Sequence, residues 1–416
     1  MTAHTAANDA AFATARSNAV AGDTIELTGA SYSGFNWSPS FASEVLVFGT
    51  DPNNKPTITY TGSNNLDGAQ NLTFRHVEFS KPWQSGDANQ EQMLSIDNTT
   101  NLKFDQCRIV GGKVNGGTDS NGRAFQAIGG TGLTFIDCEF TSWTKAIVAG
   151  SVSNLTVQGC EIHDIKSDGM TLDNITTAMI RGNYFHDFAV GVTAEHPDMI
   201  QFTIAASRLA GTTGVQILEN ILDAGVGRYG QLIFGGNGGQ AVGGPGTALR
   251  RTNFTIRDNI MFGDHTNFLA IAYLDNSTID HNTLILVDRS YPFTGSAEID
   301  CGGGDGNTIT NNICENVVTG TNATTSNNQI VNSASLLTYF DKLNWVSDGD
   351  TYNGLRIKSG TAVSTSGAGA RTMQKADGWG GAGVEPHPAY LDGFSSGGPS
   401  LQTLPVGSVT ASVTVP

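Results

Sequence analysis

The segment NFTIRDNIM at residues 253–261 decides the fold, because its pattern recurs along the chain. Apolar residues lie two positions before Ile256, at Ile256 and five positions after it, with polar residues between them, as in a short β-strand. Eight other segments share the pattern: NLTFRHVEF (71–79), NLKFDQCRI (101–109), GLTFIDCEF (132–140), NLTVQGCEI (154–162), TAMIRGNYF (177–185), GVQILENIL (214–222), NSTIDHNTL (276–284) and GNTITNNIC (306–314).

The spacing of these segments indicates a solenoid. Aligned on the position of Ile256, they follow one another at steps of 30, 31, 22, 23, 37, 39, 23 and 30 residues. The shortest steps give the length of one repeat, and the longer steps carry inserted loops. A helical repeat would not tolerate so many Thr, Asn and Gly residues, so the repeating unit is built from strands.

A column of small residues runs through the repeat, three positions after each aligned residue. Stacked turns about 4.8 Å apart let each Asn amide bond to the next, and Asn tolerates the left-handed backbone of a tight turn. The Cys members are predicted to be small buried residues of the same ladder. The repeat therefore predicts an all-β chain, a single right-handed parallel β-helix of about 9–11 coils. The members of this column are Val77, Cys107, Cys138, Cys160, Asn183, Asn220, Asn259, Asn282 and Asn312.

The two ends of the chain fit a capped solenoid. NDAAFATARSNAV (8–20) can form an amphipathic helix with Asn8 or Asp9 as its N-cap, and GDTIELTGASYSG (22–34) supplies the first strand and turn. After about residue 335 the repeat is lost, and SLLTYFDKL (335–343) suits a short helix. We therefore expect a β-helix with its N-terminal cap over 1–335, and an irregular C-terminal cap with a Gly/Ser-rich tail packed on the helix over 336–416.

A helix, then GDTI and a turn ending in Tyr-x-Gly, then coils with an Asn ladder, resembles the pectate-lyase-like superfamily of carbohydrate-active β-helices over roughly residues 8–335. In the resembled families, the face formed by one strand of each coil holds an extended polysaccharide. The resemblance implies the same fold and a carbohydrate-binding face, and it is specific for the fold rather than for one activity.

Composition excludes several classes of partner. The chain has 416 residues, 14% charged residues, a net charge of −16 and a pI of about 4.7, which argues against nucleic acid. No apolar stretch approaches a membrane span, and no signal peptide is visible. The five Cys show no CxxC and no zinc-like spacing, so a disulfide framework is not expected. GGNGGQAVGG (235–244) lacks the following helix of a dinucleotide loop, and no organic cofactor is expected.

Counting backwards from the aligned positions places four ionisable side chains in one column. The residue twelve positions before the aligned residue is Arg123, Lys145 or Asp168 in three consecutive coils, and Gln92 in the coil before them. DGMTL (168–172) matches DMIQF (198–202), which adds Asp198. Neighbouring members should lie about 5 Å apart. We name Arg123, Lys145, Asp168 and Asp198 the charged column.

Further candidates lie beside the charged column. EHPDMIQF (195–202) indicates a loop that delivers a strand, with His196 and Gln201 facing the groove together with Asp198. The longest steps carry the largest insertions, one of which contains Arg228 and Tyr229, and long loops in a compact solenoid are usually functional. The predicted substrate-binding residues are Gln126, Lys166, Gln201, Arg228 and Tyr229.

Simpler explanations exist for the same residues. Alternating charges in a column can be a ladder of surface ion pairs that contributes little. Asp198 could instead bond to turn amides, and His196 could cap a loop.

Three functions remain open. A lyase acting on a uronic-acid polymer must neutralise the carboxylate, remove the C5 proton and protonate the leaving oxygen. In the alginate lyase and chondroitinase B types, a Lys and an Arg on adjacent coils fill these roles, often with Ca²⁺. By this resemblance Arg123 is the neutraliser, Lys145 the base or acid and His196 the second proton carrier. Asp168, Asp198 and Glu195 are calcium ligands or orienting groups. A C5-epimerase would need the same apparatus.

The second function is a glycoside hydrolase that uses paired carboxylates, either Asp168 with Asp198 or Glu298 with Asp300. The third is a non-catalytic glycan-binding tailspike or adhesin module. The prediction is an extracellular or secreted lyase for an acidic polysaccharide, with a phage virion as the alternative location. We expect a monomer, or a trimer if the protein is a tailspike, with no nucleic-acid or membrane partner.

Overall fold

A computed structural model of the chain describes residues 1–84, 91–114, 119–188, 197–203, 211–224, 231–236, 250–263, 267–286, 296–340 and 360–370; of residues 113, 114, 119–121, 333 and 337 it describes the backbone alone. Its strands form three sheets in which, with one short exception, each strand pairs in parallel with the equivalent strand one coil away. The right-handed parallel β-helix predicted from the repeat is confirmed. No helix in the described ranges is long and apolar enough to cross a membrane.

The first sheet has 15 strands and contains the repeating segments. Its strands are β1 (Ala3–Ala6), β2 (Thr24–Leu27), β4 (Ser40–Phe48), β7 (Gln70–Arg75), β10 (Thr100–Asp105), β14 (Thr134–Ile136), β17 (Ser153–Gln158), β20 (Thr176–Arg181), β23 (Thr213–Leu218), β27 (Thr255–Arg257), β31 (Thr278–Asp280), β34 (Thr308–Thr310) and β37 (Thr324–Ser326), with β26 (Arg251–Thr252) and β30 (Leu274–Asp275) beside them.

The second sheet has 12 strands, one in each coil of the described residues. Nine of these coils contain the aligned segments, two precede them and one follows them. The 12 coils exceed the predicted 9–11. Its strands are β3 (Ser31–Ser33), β5 (Thr57–Thr59), β8 (Glu78–Ser80), β11 (Arg108–Val110), β15 (Glu139–Thr141), β18 (Glu161–His163), β21 (Tyr184–His186), β24 (Ile221–Asp223), β28 (Ile260–Gly263), β32 (Thr283–Leu286), β35 (Ile313–Cys314) and β38 (Gln329–Ile330).

The third sheet has 11 strands and carries the charged column. Its parallel strands are β6 (Asn64–Asn65), β9 (Gln92–Ser95), β13 (Asp119–Ile128), β16 (Trp143–Gly150), β19 (Met170–Asp173), β22 (Asp198–Thr203), β25 (Gln231–Gly235), β29 (Leu269–Ile271), β33 (Glu298–Asp300) and β36 (Asn316–Val318). The short β12 (Lys113–Val114) pairs with β13 in the antiparallel sense.

The core fills the space between the three sheets with stacked rows of like residues. Phe74, Phe104 and Phe135 lie in register on adjacent strands, and consecutive ring centroids are 5.6 and 5.2 Å apart. All three side chains are fully buried. Because one coil repeats the next, each row extends the same apolar interior along the solenoid.

The column predicted from the repeat forms a buried hydrogen-bonded ladder at the turn between the first and second sheets. Each Asn amide donates to the side-chain oxygen of the next Asn at 2.9–3.0 Å, from Asn183 to Asn312, and Asn328 extends the ladder by one coil. Cys160 connects the Cys members of the column to the Asn ladder, because its backbone N–H donates to the side-chain oxygen of Asn183. The three Cys of the column are buried, as predicted, and Cys301 and Cys314 are buried as well; all five are free.

The residue before each ladder position has a left-handed backbone. His76, Glu219 and Asn311 have φ of 53°, 57° and 56°, and Gly takes the same place at 159 and 182. This conformation turns the chain sharply enough for the ladder side chain to point inwards. The cost of a positive φ in a non-Gly residue is met by the ladder bonds that the turn makes possible.

Helices pack against the first coils and against the late coils of the solenoid. Helix α1 (Asp9–Asn18) buries Phe12 over the first coils, and Asn8 is its N-cap, accepting from Ala11 N–H at 3.0 Å. A 3₁₀ turn (Ser333–Ser335), α2 (Leu336–Tyr339) and α3 (Ala362–Ser366) follow the last strands. Leu336 and Val363 pack on the outer face of the second sheet. There they bury apolar side chains of the late coils, such as that of Ile260.

Candidate active-site groove

The register of the third sheet places the charged column on adjacent strands. Arg123 on β13 pairs with Lys145 on β16, and with Gln92 on β9 on its other side. Asp168 and Asp198 continue the column, because each lies two residues before the paired Met170 and Ile200. This agrees with the register counted from the sequence, and it brings four ionisable side chains to one face of the solenoid.

Lys145 and Asp168 form an ion pair in which only the lysine reaches solvent. Lys145 Nζ donates to Asp168 Oδ2, and the side chains are 21% and 2% exposed. The carboxylate also accepts from Thr171 Oγ1 at 2.9 Å, from the backbone N–H of Asp198 at 3.2 Å and from Ser167 Oγ at 3.3 Å. Four donors therefore converge on one buried carboxylate, which holds the Lys145 ammonium at the groove.

Arg123 is half-buried one strand away from Lys145. Its Nη1 donates to Oε1 of Gln126, which lies three residues further along β13. Burial lowers the pKa of Arg123 from its ordinary value. The guanidinium still carries its proton at neutral pH, so the groove has two adjacent cations, about 4.8 Å apart at the backbone.

Asp198 is fully buried. Its Oδ2 accepts from Gln201 Nε2, three residues further along β22. Asp168 makes the same contact with Thr171 at the equivalent positions of β19. Asp198 pairs with Gln231 on the next strand, so the column ends in uncharged amides. The sequence predicted that Asp198 would face the groove, whereas Asp198 is buried and Gln201 and Thr203 are the partly exposed side chains of β22.

Of the remaining predicted residues, one lies beside the column and four lie outside the described residues, while two histidines that are close to the column in sequence lie on another face. Lys166 lies beside the column, two residues before Asp168. Its backbone N–H donates a hydrogen bond to the carbonyl oxygen of Trp143 at 2.8 Å. His163 and His186 lie on the second sheet, on another face of the solenoid, and their rings stack at 5.0 Å. Glu195, His196, Arg228 and Tyr229 lie outside the described residues.

Calcium binding, which the sequence predicts for Asp168, Asp198 and Glu195, stays a prediction. No three His, Cys, Asp or Glu side chains within the described ranges gather so as to hold a metal ion. The Asp168 carboxylate is closed off by its four donors, and Asp198 is fully buried. A calcium ion would depend on Glu195 and therefore stays a prediction.

Comparison with known proteins agrees with the geometry. A family model described as a right-handed β-helix region matches residues 65–236. This part of the chain is similar to that family. The matched residues include the strands that carry the charged column, and the parallel β-helix expected from the resemblance to the pectate-lyase-like superfamily is confirmed. No curated protein sequence matches the chain.

Solved β-helix structures resemble the chain at low identity. The Dettilon tailspike protein is 16% identical, with a TM-score of 0.47 over 73% of this chain and 57% of that chain. The surface adhesin PfbA of Streptococcus pneumoniae is 13% identical, with a TM-score of 0.46 over 74% of this chain and 78% of that chain. A PL6-family alginate lyase is 14% identical, with a TM-score of 0.41 over 75% of this chain and 47% of that chain.

This chain thus spans little more than half of the tailspike chain and less than half of the lyase chain. At these identities and TM-scores the likenesses carry no argument on function.

The β-helix holds a second acidic group far from the charged column. Glu298 and Asp300 lie on β33, five strands from Lys145, which corresponds to about 24 Å. Burial, together with the charges of Asp300 and Glu315, raises the pKa of Glu298. Asp300 Oδ1 accepts from the N–H of Gly302 at 2.7 Å, so this carboxylate is used to hold the following turn.

Sequence reasoning missed two partners of the charged column. Thr171 was placed in register but not recognised as a donor to Asp168, although a Thr three residues after an Asp was a visible signal. Lys81 is fully buried and pairs with Glu91 at 3.6 Å. The carbonyl oxygen of Glu91 accepts the N–H of Arg123 at 2.8 Å, so this pair supports the strand that carries the arginine.

Proposed function

We propose that the protein is an extracellular polysaccharide lyase that cleaves a uronic-acid-containing polysaccharide by β-elimination along the third sheet. The observation that carries this proposal is the pairing of Arg123 with Lys145 on adjacent strands, with Asp168 buried behind the lysine. Two cations on one open face suit an acidic polymer, whereas the chain as a whole is strongly acidic.

The chemistry needs charge stabilisation more than a nucleophile. Removal of the C5 proton of a uronate leaves an electron pair that delocalises into the carboxylate, so a cation at that group stabilises the developing charge. The pair then forms the C4–C5 double bond as the bond from C4 to the glycosidic oxygen breaks. The leaving oxygen takes a proton from an acid.

The described residues can fill two of these roles. Arg123 can bind a uronate carboxylate through its planar guanidinium while Gln126 holds the side chain in place. Lys145, as an ammonium oriented by Asp168, can donate a proton to the leaving oxygen. The base is His196 in this proposal, and its position lies outside the described residues. Gln201 is proposed to contact the polymer further along the face.

A glycoside hydrolase using Asp168 and Asp198 is less well supported. An acid and a nucleophile or base must both reach the scissile bond. Asp168 and Asp198 are 1% and 0% exposed, and the oxygens of Asp168 are occupied by donors. A glycan-binding module without activity would use the same face, and activity assays separate it from the lyase.

The test is an assay of the purified protein on alginate, pectate, hyaluronan and chondroitin sulfate, with and without a chelator. A lyase product absorbs in the ultraviolet because its new double bond is conjugated with the carboxylate. Lys145→Met and Arg123→Gln should each abolish this absorbance. Lys103→Met is the matched control, because Lys103 forms a comparable ion pair with Asp105 at 3.2 Å on the first sheet.

Other outcomes would overturn the proposal. New reducing ends without absorbance would identify a hydrolase, and binding without cleavage of any polymer would favour the glycan-binding module. Loss of activity in Lys103→Met to the same degree as in Lys145→Met would show that the groove pair has no special role.

A further inference from the structure

A polar pocket of about 390 Å³ opens at the N-terminal end of the solenoid, away from the charged column. Its wall is formed by Ser31 and Ser33 on β3, Thr59 on β5, Thr61 in the turn before β6 and Asn64 at the start of β6. Asp9, the first residue of α1, closes one side. The volume lies within the range of about 300–1,000 Å³ typical of small-molecule sites.

The pocket is built by the register of the second sheet. Ser33 pairs with Thr59 on the neighbouring strand, so their side chains share the outer face. Gly34 N–H donates to the carbonyl oxygen of Thr59 at 2.7 Å, and the backbone of Gly34 lies against the ring of the buried Tyr60. A Cβ at Gly34 would come within 2.4 Å of that ring, so the wall requires glycine here.

The hydroxyl groups of this pocket differ from those nearby. The side chains of Ser31, Thr59 and Thr61 make no hydrogen bond to any described residue, and they are available to a ligand. By contrast, the hydroxyls of Thr57 and Ser63, just outside the pocket, donate to Glu78 and Glu91. Ser31 and Thr61 are exposed and Thr59 is partly buried, so all three hydroxyls can be reached by a ligand in this cavity.

Asp9 gives the pocket its one charged lining group. Its oxygens accept from the N–H and the hydroxyl of Ser33 at 2.8 and 2.7 Å, which fixes the carboxylate. The same bonds lower the pKa of Asp9, so the carboxylate is ionised at neutral pH. An anionic ligand would meet this negative charge, whereas a ligand rich in hydroxyls can donate to the carboxylate and also bond to the serine and threonine hydroxyls.

We propose that this pocket binds a neutral sugar residue through its hydroxyl groups, as a site separate from the charged column. Asn64 offers a free amide oxygen, because its Nδ2 donates back to the carbonyl oxygen of Gly62 at 2.9 Å. The site does not depend on cleavage, because its lining lies on α1, β3, β5 and the segment that enters β6 and includes no residue of the charged column.

The test is saturation-transfer NMR on the full chain with the methyl glycosides of glucose, galactose, mannose and N-acetylglucosamine, and with methyl glucuronide as the charged comparison. At least one neutral glycoside should give a signal that the glucuronide does not give. Thr61→Phe, which fills the pocket from an exposed position, should lose that signal. Thr278→Phe, at an exposed threonine of the first sheet, should keep it.

The proposal is overturned if none of the neutral glycosides binds, if the glucuronide binds better, or if the two variants lose signal equally. A circular dichroism spectrum of each variant confirms that it is folded. Because Lys145→Met leaves the pocket intact, the glycoside signal should persist in that variant whether or not the protein is a lyase.

Discussion

Replacing Asp168 with Asn tests the idea that this buried carboxylate orients Lys145. The substitution keeps the size and removes the charge. All four partners of Asp168 are donors, two on each oxygen. An Asn amide has one acceptor oxygen and one NH₂ group, so in either orientation two donors would face the NH₂ group.

The magnitude follows from which partners can adapt. If the NH₂ group takes the place of Oδ1, the buried backbone N–H of Asp198 loses its acceptor, so this orientation is disfavoured. If it takes the place of Oδ2, the Thr171 hydroxyl can rotate to accept, and Lys145 turns towards solvent. The cost is then one charge-assisted bond, about 1.5–3 kcal/mol. This is less than the 3–5 kcal/mol of a fully buried pair, because Lys145 is 21% exposed.

The effect on activity should exceed the effect on stability. A displaced ammonium no longer meets the leaving oxygen, and loss of a positioned acid lowers kcat about 10²–10⁴-fold. Urea unfolding measures the loss of stability, and initial rates on the best acidic polysaccharide measure the loss of kcat. The Lys145→Met/Asp168→Asn double variant gives the coupling energy between the two residues. If Asp168→Asn keeps full kcat, or if added calcium restores the lost rate, the orienting role is refuted.

Two further predictions concern the scaffold. Asn259→Leu should lower the free energy of unfolding by about 2–5 kcal/mol, because buried ladder groups lose their partners, while Asn316→Leu at an exposed position should change it little in the same urea titration. Burial lowers the pKa of His163, but hydrogen bonds to Asp164 and Glu139 outweigh this and raise it to about 9. The stabilisation that protonated His163 contributes is therefore complete below pH 6.5 and is lost as the pH rises to about 9; it amounts to at most about 3 kcal/mol. His163→Gln should flatten the fall in Tm over this pH range. An unchanged slope would contradict the assignment.

The repeat predicted the scaffold well because its determinants are local in each coil. The ladder position, the left-handed residue before it and the apolar positions recur at fixed offsets, so they can be read from the sequence without knowing the pairing. Asn328 was missed because its coil follows after only 16 residues, with TTS and QI as its strands, and these lack the apolar pattern.

The charged column was predicted for the same reason, since the offset from the aligned position fixes the register of Arg123, Lys145 and Asp168, and the match of DGMTL to DMIQF adds Asp198. Burial was not predictable in this way. Whether Asp168 faces solvent or is closed off depends on the donors Thr171, Ser167 and the backbone of Asp198, which come from two coils. The offset gives the position of a residue on a strand and does not give the number of neighbours that reach its oxygens.

By itself, the sequence determined the solenoid, the parallel stacking of its coils, the ladder and the order of charges along one face, because each follows from a short periodic pattern. Only the tertiary structure decided that Lys145 is the open member of its pair, that His163 and His186 lie on another face, and that free hydroxyls share a pocket with Asp9. These features depend on which side chains meet across coils and on how much solvent each retains, and neither quantity is contained in a repeat of 22–23 residues.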